Sequence, residues 1–346
     1  MTQLQTQIFT ALGVGQQSEF KTGVTPTEFV KYLTSVTGGL SQEKTTVKMT
    51  GSGIGGNVTK TITAREWVEA TFTGKLVADS VIMQKCLASL LGGGAGTNTV
   101  TGDADEGYTH TFQIVGNETS RLDLDKALTL VKYHGDNTAQ ELCGCVIKDF
   151  KLTIPESEVV TYEFGLIGYG AQDISITPTF NHDQKPLFSP LMAKIEIGDL
   201  GTFANLEALP SYNTADISFN NGLFHTYGAG RIDNMGMNPL TASITTSTPY
   251  ETSKKYLDYV KNNTRKSMVI TIESTEKVSD DASAKNYSIK LKFPEVGFNE
   301  SVNVDFALED ASELRQSLTI EPSTHTEGTN KYFMEIETVD ATAGVF

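Results

Sequence analysis

Two stretches of the chain nearly repeat one another: Lys151–Glu156 reads KLTIPE and Lys290–Glu295 reads KLKFPE. In the first, Phe150, Leu152 and Ile154 alternate with Asp149, Lys151 and Thr153; in the second, Ile289, Leu291 and Phe293 alternate with Ser288, Lys290 and Lys292. A period of two is that of a strand with one buried face. Pro155 and Pro294 are expected to end these strands, because proline has no N–H to give to a continuing ladder. A returning strand then puts Val160, Tyr162, Phe164 and Leu166 on one face, matched after a slightly longer turn by Val302, Val304, Phe306 and Leu308.

The order of elements upstream is also shared. WVEATFTG (Trp67–Gly74) and PLTASITTS (Pro239–Ser247) each precede a helical pattern. The first helix is expected to start near Asp79, to carry Ile82, Met83, Cys86, Leu87 and Leu90 on one face, and to stop at Gly92. The second has Thr248 as cap, Pro249 at its first position and Glu251 three residues after the cap, with Tyr256, Leu257 and Val260 as its apolar stripe. Long glycine-containing stretches between strands, Val47–Glu66 and Asn220–Asn238, precede these segments. The reading is a mainly β chain of two tandem barrel or sandwich domains with one flanking helix each, residues 1–185 and 186–346. The boundary falls in TPTFNHDQKPLFSP (Thr177–Pro190), rich in proline and without periodicity, and the strand MAKIEIG opens the second half.

The 346 residues suffice for two cores, and abundant Gly, Thr, Ser, Val and Ile favours strands and tight turns. A formal net charge of −15, spread through the chain, repels phosphate and argues against a nucleic-acid grip. Cys86, Cys143 and Cys145 make an odd count at spacings that suit neither a disulfide framework nor a zinc knuckle, so they read as small buried residues. The start shows no basic region followed by an apolar run, and no stretch nears the ~18 apolar residues of a membrane-spanning helix. That predicts a protein held in the cytosol until it is assembled or released.

Chemistry is hard to find. His110, His134, His182, His225 and His325 are not spaced as metal pairs, and His182-Asp183 lies in the expected linker. LLGGGAGTNT (Leu90–Thr99) follows a helix and lacks the lysine of a phosphate loop. GDADEG (Gly102–Gly107) lacks the closing glutamate of an EF-hand and reads as a solvated acidic loop. Trp67, the only tryptophan, reads as a core or interface anchor. No nucleophile, base and orienting group can be assembled, so no enzyme and no cofactor are expected.

FKTGVTPTEFVKYLTSVT (Phe20–Thr37), with GCVIKDFKLTIPE followed by VVTYEFGLIGYG, resembles the tail tube proteins of long-tailed phages. The resemblance implies rings that stack head to tail into a hollow tail through which viral DNA passes without specific binding. It implies a β-barrel or sandwich with a flanking helix, and a long early loop that reaches an adjacent ring. By position that loop is Val47–Glu66, with Met49, Gly51, Gly53, Ile54, Gly55 and Asn57 as candidate contact residues. Its counterpart would be Asn220–Asn238, with Phe224, Tyr227, Gly228 and Arg231.

Because a ring of this family commonly has six single-domain subunits, a two-domain chain implies three copies closing a pseudo-six-fold ring, in preference to six copies with the second half outside. Expected partners are the chain itself, the tail terminator, the tape measure and the baseplate or distal tail proteins, with no membrane. The expected place is the virion tail, after assembly in the host cytoplasm. The alternatives are the inner tube of a contractile or phage-like injection particle and, from another class, a glycan-binding surface adhesin.

Overall fold

The computed structural model describes residues 11–49, 58–78, 81–91, 98–115, 122–134, 138–176, 186–209, 212, 214–249, 256, 258–299, 303–305, 315–327 and 330–343. Strands β1 (Ala11–Gln16), β2 (Glu28–Phe29), β3 (Leu33–Met49) and β4 (Val58–Lys75) precede the helix α1 (Val81–Leu91). After it come β5 (Asn98–Thr101), β6 (Tyr108–Val115), β7 (Leu128–Tyr133), β8 (Thr138–Ile154), β9 (Thr161–Gly168) and β10 (Gly170–Ser175). The chain continues with β11 (Ala193–Gly198), β12 (Glu207–Ala208), β13 (Ala215–Asn220), β14 (Leu223–Gly228), β15 (Arg231–Met237) and β16 (Thr241–Pro249). It ends with β17 (Lys266–Lys277), β18 (Asn286–Phe298), β19 (Asn303–Asp305), β20 (Arg315–Pro322), β21 (His325–Glu327) and β22 (Asn330–Asp340).

One long antiparallel sheet runs β3-β4-β9-β8-β13-β16-β20, with the end of β18 and then β19 laid against β20. A first side sheet runs β2-β1-β7-β8-β10, and a second runs β12-β11-β17-β18-β22-β6-β5. Strands β8 and β18 each belong to the long sheet at one end and to a side sheet at the other. The turn in β8 is made at Gly144, whose φ of +63° suits glycine and where an added Cβ would sit 2.8 Å from Tyr169 Cβ.

Alternation explains the core between the sheets. Phe72, Phe164, Phe150, Leu152, Ile154, Ile217, Phe219, Ile244, Leu318 and Ile320 all point inward from the long sheet and are buried. Phe164, Phe150, Phe219 and Phe293 stack in succession at 4.6, 5.7 and 6.2 Å between centroids. The row crosses from β9 to β18, so one aromatic seam serves both parts of the chain.

Helix α1 is where it was expected, with Asp79 and Gly92 outside the described residues. The expected one-sided stripe is exceeded: every residue from Ile82 to Leu91 is buried, including Gln84, Lys85 and Ser89. Burial lowers the Lys85 pKa, and Gln84 Nε2 donates to Asp340 at the end of β22. Asn221, just after β13, donates from Nδ2 to Leu90 O and Ile147 O, both at 2.9 Å. This side chain closes the C-terminal end of α1, whose last carbonyls lack partners in the helix.

Several expectations are corrected. Pro155 does end β8, but Pro294 does not end β18, which continues to Phe298. The ladder to β17 steps from Met268↔Phe293 to Lys266↔Val296, so Pro294 falls in a bulge that needs no N–H. KLTIPE and KLKFPE also pair differently: Lys151–Ile154 lies between β9 and β13, whereas Lys290–Phe293 contacts β17 and, through Lys292, β22. The expected return strand after KLKFPE is described only as β19, which pairs with β20 and not with β18. Val302, Phe306 and Leu308 lie outside the described residues. Thr248 and Pro249 close β16 and do not start a helix; the helical residues described are Tyr256 and 258–261, with Tyr256 and Tyr259 against Phe298. Leu257 is also undescribed, as are residues 177–185 of the expected boundary stretch Thr177–Pro190, whereas Phe188 within it is buried and donates its N–H to Leu76 O. Val47–Glu66 is mostly strand, since β3 reaches Met49 and β4 begins at Val58, and Asn220–Asn238 is the hairpin β14–β15.

Two stability predictions follow from this core. Phe219→Ala should cost about 3–5 kcal/mol, measured by denaturant unfolding, whereas Phe224→Ala, on a half-exposed ring, should stay within about 0.5 kcal/mol. Asn221→Ala should cost about 1–3 kcal/mol by leaving two buried carbonyls without their donor.

Candidate assembly surfaces

The face of the long sheet turned away from the core is polar. One row across it reads Ser35, Thr73, Glu163, Lys151, Ser218 and Ser243 on six neighbouring strands. A second reads Thr161, Thr153, Asp216, Thr245 and Thr319. Short hydroxyls dominate: Ser35 and Thr73 share a 2.8 Å hydrogen bond, and Thr153 donates to Asp216 at 2.6 Å. Two lysines of this face are tied down, Lys148 to Glu69 at 3.4 Å and Lys151 to Asp216 at 3.3 Å, while exposed Lys75 extends the second row opposite Thr161. Asp149 lies over Gly165, where a Cβ would come within 2.3 Å of Oδ1, and burial there raises its carboxyl pKa. Asp149, Glu163, Lys151 and Glu321 line one broad open concavity on this face.

The joint in the middle of the sheet is made by the backbone. Strands β8 and β13 pair in unbroken register from Ile154↔Ala215 to Asp149↔Asn220. On the other side of the core, β6 pairs with β22 from Tyr108↔Asp340 onward. His110 Nε2 lies 3.2 Å from Asp340 Oδ1 and 2.9 Å from Thr342 O, all buried or partly buried, so this seam is also fastened by side chains.

The hairpin β14–β15 fastens a third contact. Ala229 and Gly230 both have positive φ, +51° and +84°, in a two-residue turn between Gly228 and Arg231. The turn delivers Gly230 O to Glu66 N at 2.8 Å and brings Arg231 into an ion pair with Glu66. Hydrogen bonds to Tyr169 and then Glu66 raise the Arg231 pKa. Tyr227 meets Trp67 edge-on at 6.4 Å, lies under the Arg65 guanidinium at 4.8 Å and shares a 2.8 Å hydrogen bond with His225. Ile232 and Met235 complete the contact with Val146 and Ile167. Trp67 is thus an anchor between distant parts of the chain.

Of the candidate contact residues, Tyr227 and Arg231 are brought together against β4 and Tyr169, Gly228 opens the turn, and Phe224 is half exposed. Met49 ends β3 opposite Val58, while Gly51, Gly53, Ile54, Gly55 and Asn57 lie outside the described residues. Sequence reasoning missed Asn221, Glu66 and Arg65, whose partners are remote in sequence and leave no local pattern. Asp103 in GDADEG turns inward on its own loop, accepting from Asp105 N and Glu106 N at 2.9 Å each. Among the described residues no cluster of three His, Cys, Asp or Glu is placed to hold a metal ion. Burial pushes the thiols of Cys86, Cys143 and Cys145 up, away from the reactive thiolate.

A comparison with curated proteins finds no match. The family described as phage tail tube protein matches residues 10–342, nearly the whole chain and all of the surfaces above. This chain belongs to the phage tail tube protein family, and its role is structural, in the tail tube of the virion.

Proposed function

We propose that three copies close one ring of the tube, each chain supplying two sandwich domains, residues 1–185 and 186–346. The observation that carries this reading is the β8–β13 ladder, which makes one continuous sheet from both parts of the chain. Six copies with the second half outside would leave that half no reason to continue the same sheet.

The pairings support duplication. The contacts β1–β2, β1–β7, β7–β8, β8–β10, β8–β9, β9–β4 and β4–β3 have counterparts in β11–β12, β11–β17, β17–β18, β18–β22, β18–β20, β20–β16 and β16–β13. The hairpins β5–β6 and β14–β15 are then additions, each binding one domain to the other. The same joint repeated between chains sets the β18–β19 side of one copy beside β3 of the next. Among the described residues, β3 has only β4 as its strand partner. Cyclic closure through a joint that already exists inside the chain satisfies every edge of the long sheet.

In this ring the polar face of the long sheet lines the lumen. Hydroxyls and carboxylates there, with Lys148 and Lys151 already paired, repel phosphate without gripping it, so DNA slides. The partners are the tape measure inside the tube, the terminator and the baseplate or distal tail proteins at its ends, with assembly in the host cytoplasm.

Averaged end-on electron micrographs of purified tubes, with native mass spectrometry of released rings, should give pseudo-six-fold rings containing three chains; six chains per ring overturn the reading. Changing Glu69, Glu163 and Asp216 together to Lys should slow genome ejection measured by dye uptake into released DNA, and unchanged kinetics would remove the lumen assignment.

A further inference from the structure

We propose that Leu191 of one copy seats in a pocket on a copy in the next ring, making an apolar peg and socket between stacked rings. This rests on the ring reading above. Two observations at opposite ends of one strand carry it.

Leu191 is 99% exposed. It is held out by the 3₁₀ turn Pro190–Met192, closed by Met192 N donating to Ser189 O at 3.0 Å, with Pro190 fixing the first φ. A leucine so placed gains nothing for its own fold. Strand β11 starts two residues later, paired Ala193↔Ile272, and ends at Gly198↔Ser267. At that far end, roughly 17 Å away at the rise of a strand, the chain turns over a pocket of about 150 Å³.

The pocket's apolar wall is Gly201, Phe203, Pro294 and Met334, and its polar wall is Gln113, Lys292, His325 and Glu335. The charged groups of that polar wall are already engaged, His325 with Glu295 at 3.1 Å and Lys292 with Glu335 at 2.7 Å, which leaves the apolar wall free to take a side chain. Phe203 is 40% exposed at its mouth, and Leu200, next in sequence to Gly201, is 43% exposed. Gly201 N is bonded to Pro294 O at 2.9 Å, so the rim loop is held down on the β18 bulge and the socket is preformed.

Direction decides the occupant. Ladders β8–β13 and β6–β22 both join the two parts of the chain through hydrogen bonds, so in a ring the hydrogen-bond direction follows the circumference and strands run across it, toward the neighbouring rings. Leu191 and the pocket then lie on opposite axial faces. A peg on one face and a socket on the other is a heterologous contact, which stacks without closing, as a tube requires.

The test uses the full chain. In Leu191→Cys/Phe203→Cys tubes, mild oxidation should link successive rings and give a ladder of chain multiples on non-reducing gels, absent from either single variant; intact tubes that form no ladder overturn the proposal. Leu191→Ala should raise the protein concentration needed for tubes about tenfold, and Leu191→Asp should leave three-chain rings that do not stack. Leu191→Asp rings that stack like wild type overturn the proposal alone. Wild-type protein that forms no three-chain ring overturns the ring reading, and this proposal with it.

Discussion

The backbone ladder between β8 and β13 is the constraint on which the rest of the molecule depends. It places Phe150 beside Phe219, and so continues the aromatic seam from β9 to β18. It brings Asn221 to the end of α1, where its amide closes carbonyls of both the helix and β8. It also sets the hairpin β14–β15 over β4, within reach of Glu66 and Trp67. Because the joint is formed by peptide groups, it makes little demand on side-chain identity. That tolerance leaves the chemistry of the outer face free to vary while the inner face keeps the core.

What could be read from the sequence is what repeats every two residues or caps locally. The alternation through Phe150, Leu152 and Ile154 marked a half-buried strand, and Pro155 its end, because both signals act between neighbours. Pro294 was misread because a proline in a bulge and a proline at a terminus look alike; only the step in the ladder to β17 distinguishes them. Thr248 and Pro249 carry a helix-start pattern, yet Thr248 is buried in β16 against β20, where pairing overrides local preference. The likeness of KLTIPE to KLKFPE pointed to a duplication, although the two segments lie in different parts of their sheets. Strand order, set by remote partners, supports the proposed duplication better than residue identity does.

The candidate contact residues show the same division. The glycine-containing stretch Asn220–Asn238 reads in sequence as a long connection, and the structure folds it into a hairpin turning at Ala229 and Gly230. Nothing local announces that Tyr227 will lie between Trp67 and Arg65, or that Arg231 will meet Glu66. Those pairs join residues far apart in the chain and exist only once β8 and β13 have docked. The peg at Leu191 is the reverse case: one leucine among many in the sequence, and conspicuous only when its neighbours are seen to turn away.

An unpaired strand edge is an invitation to association, and most proteins blunt it. Among the described residues β3 keeps one edge open, and the order of assembly that the proposed ring implies accounts for it. Backbone edges are strong, sequence-tolerant and directional, so they suit closure of the proposed ring, where the geometry itself stops growth. Stacking has no such stop and needs a weaker, more selective contact. A single apolar peg in a preformed socket is of that kind, since it adds little until many act together around a closed ring. Rings would then form before tubes, and a tube could lengthen only from complete rings.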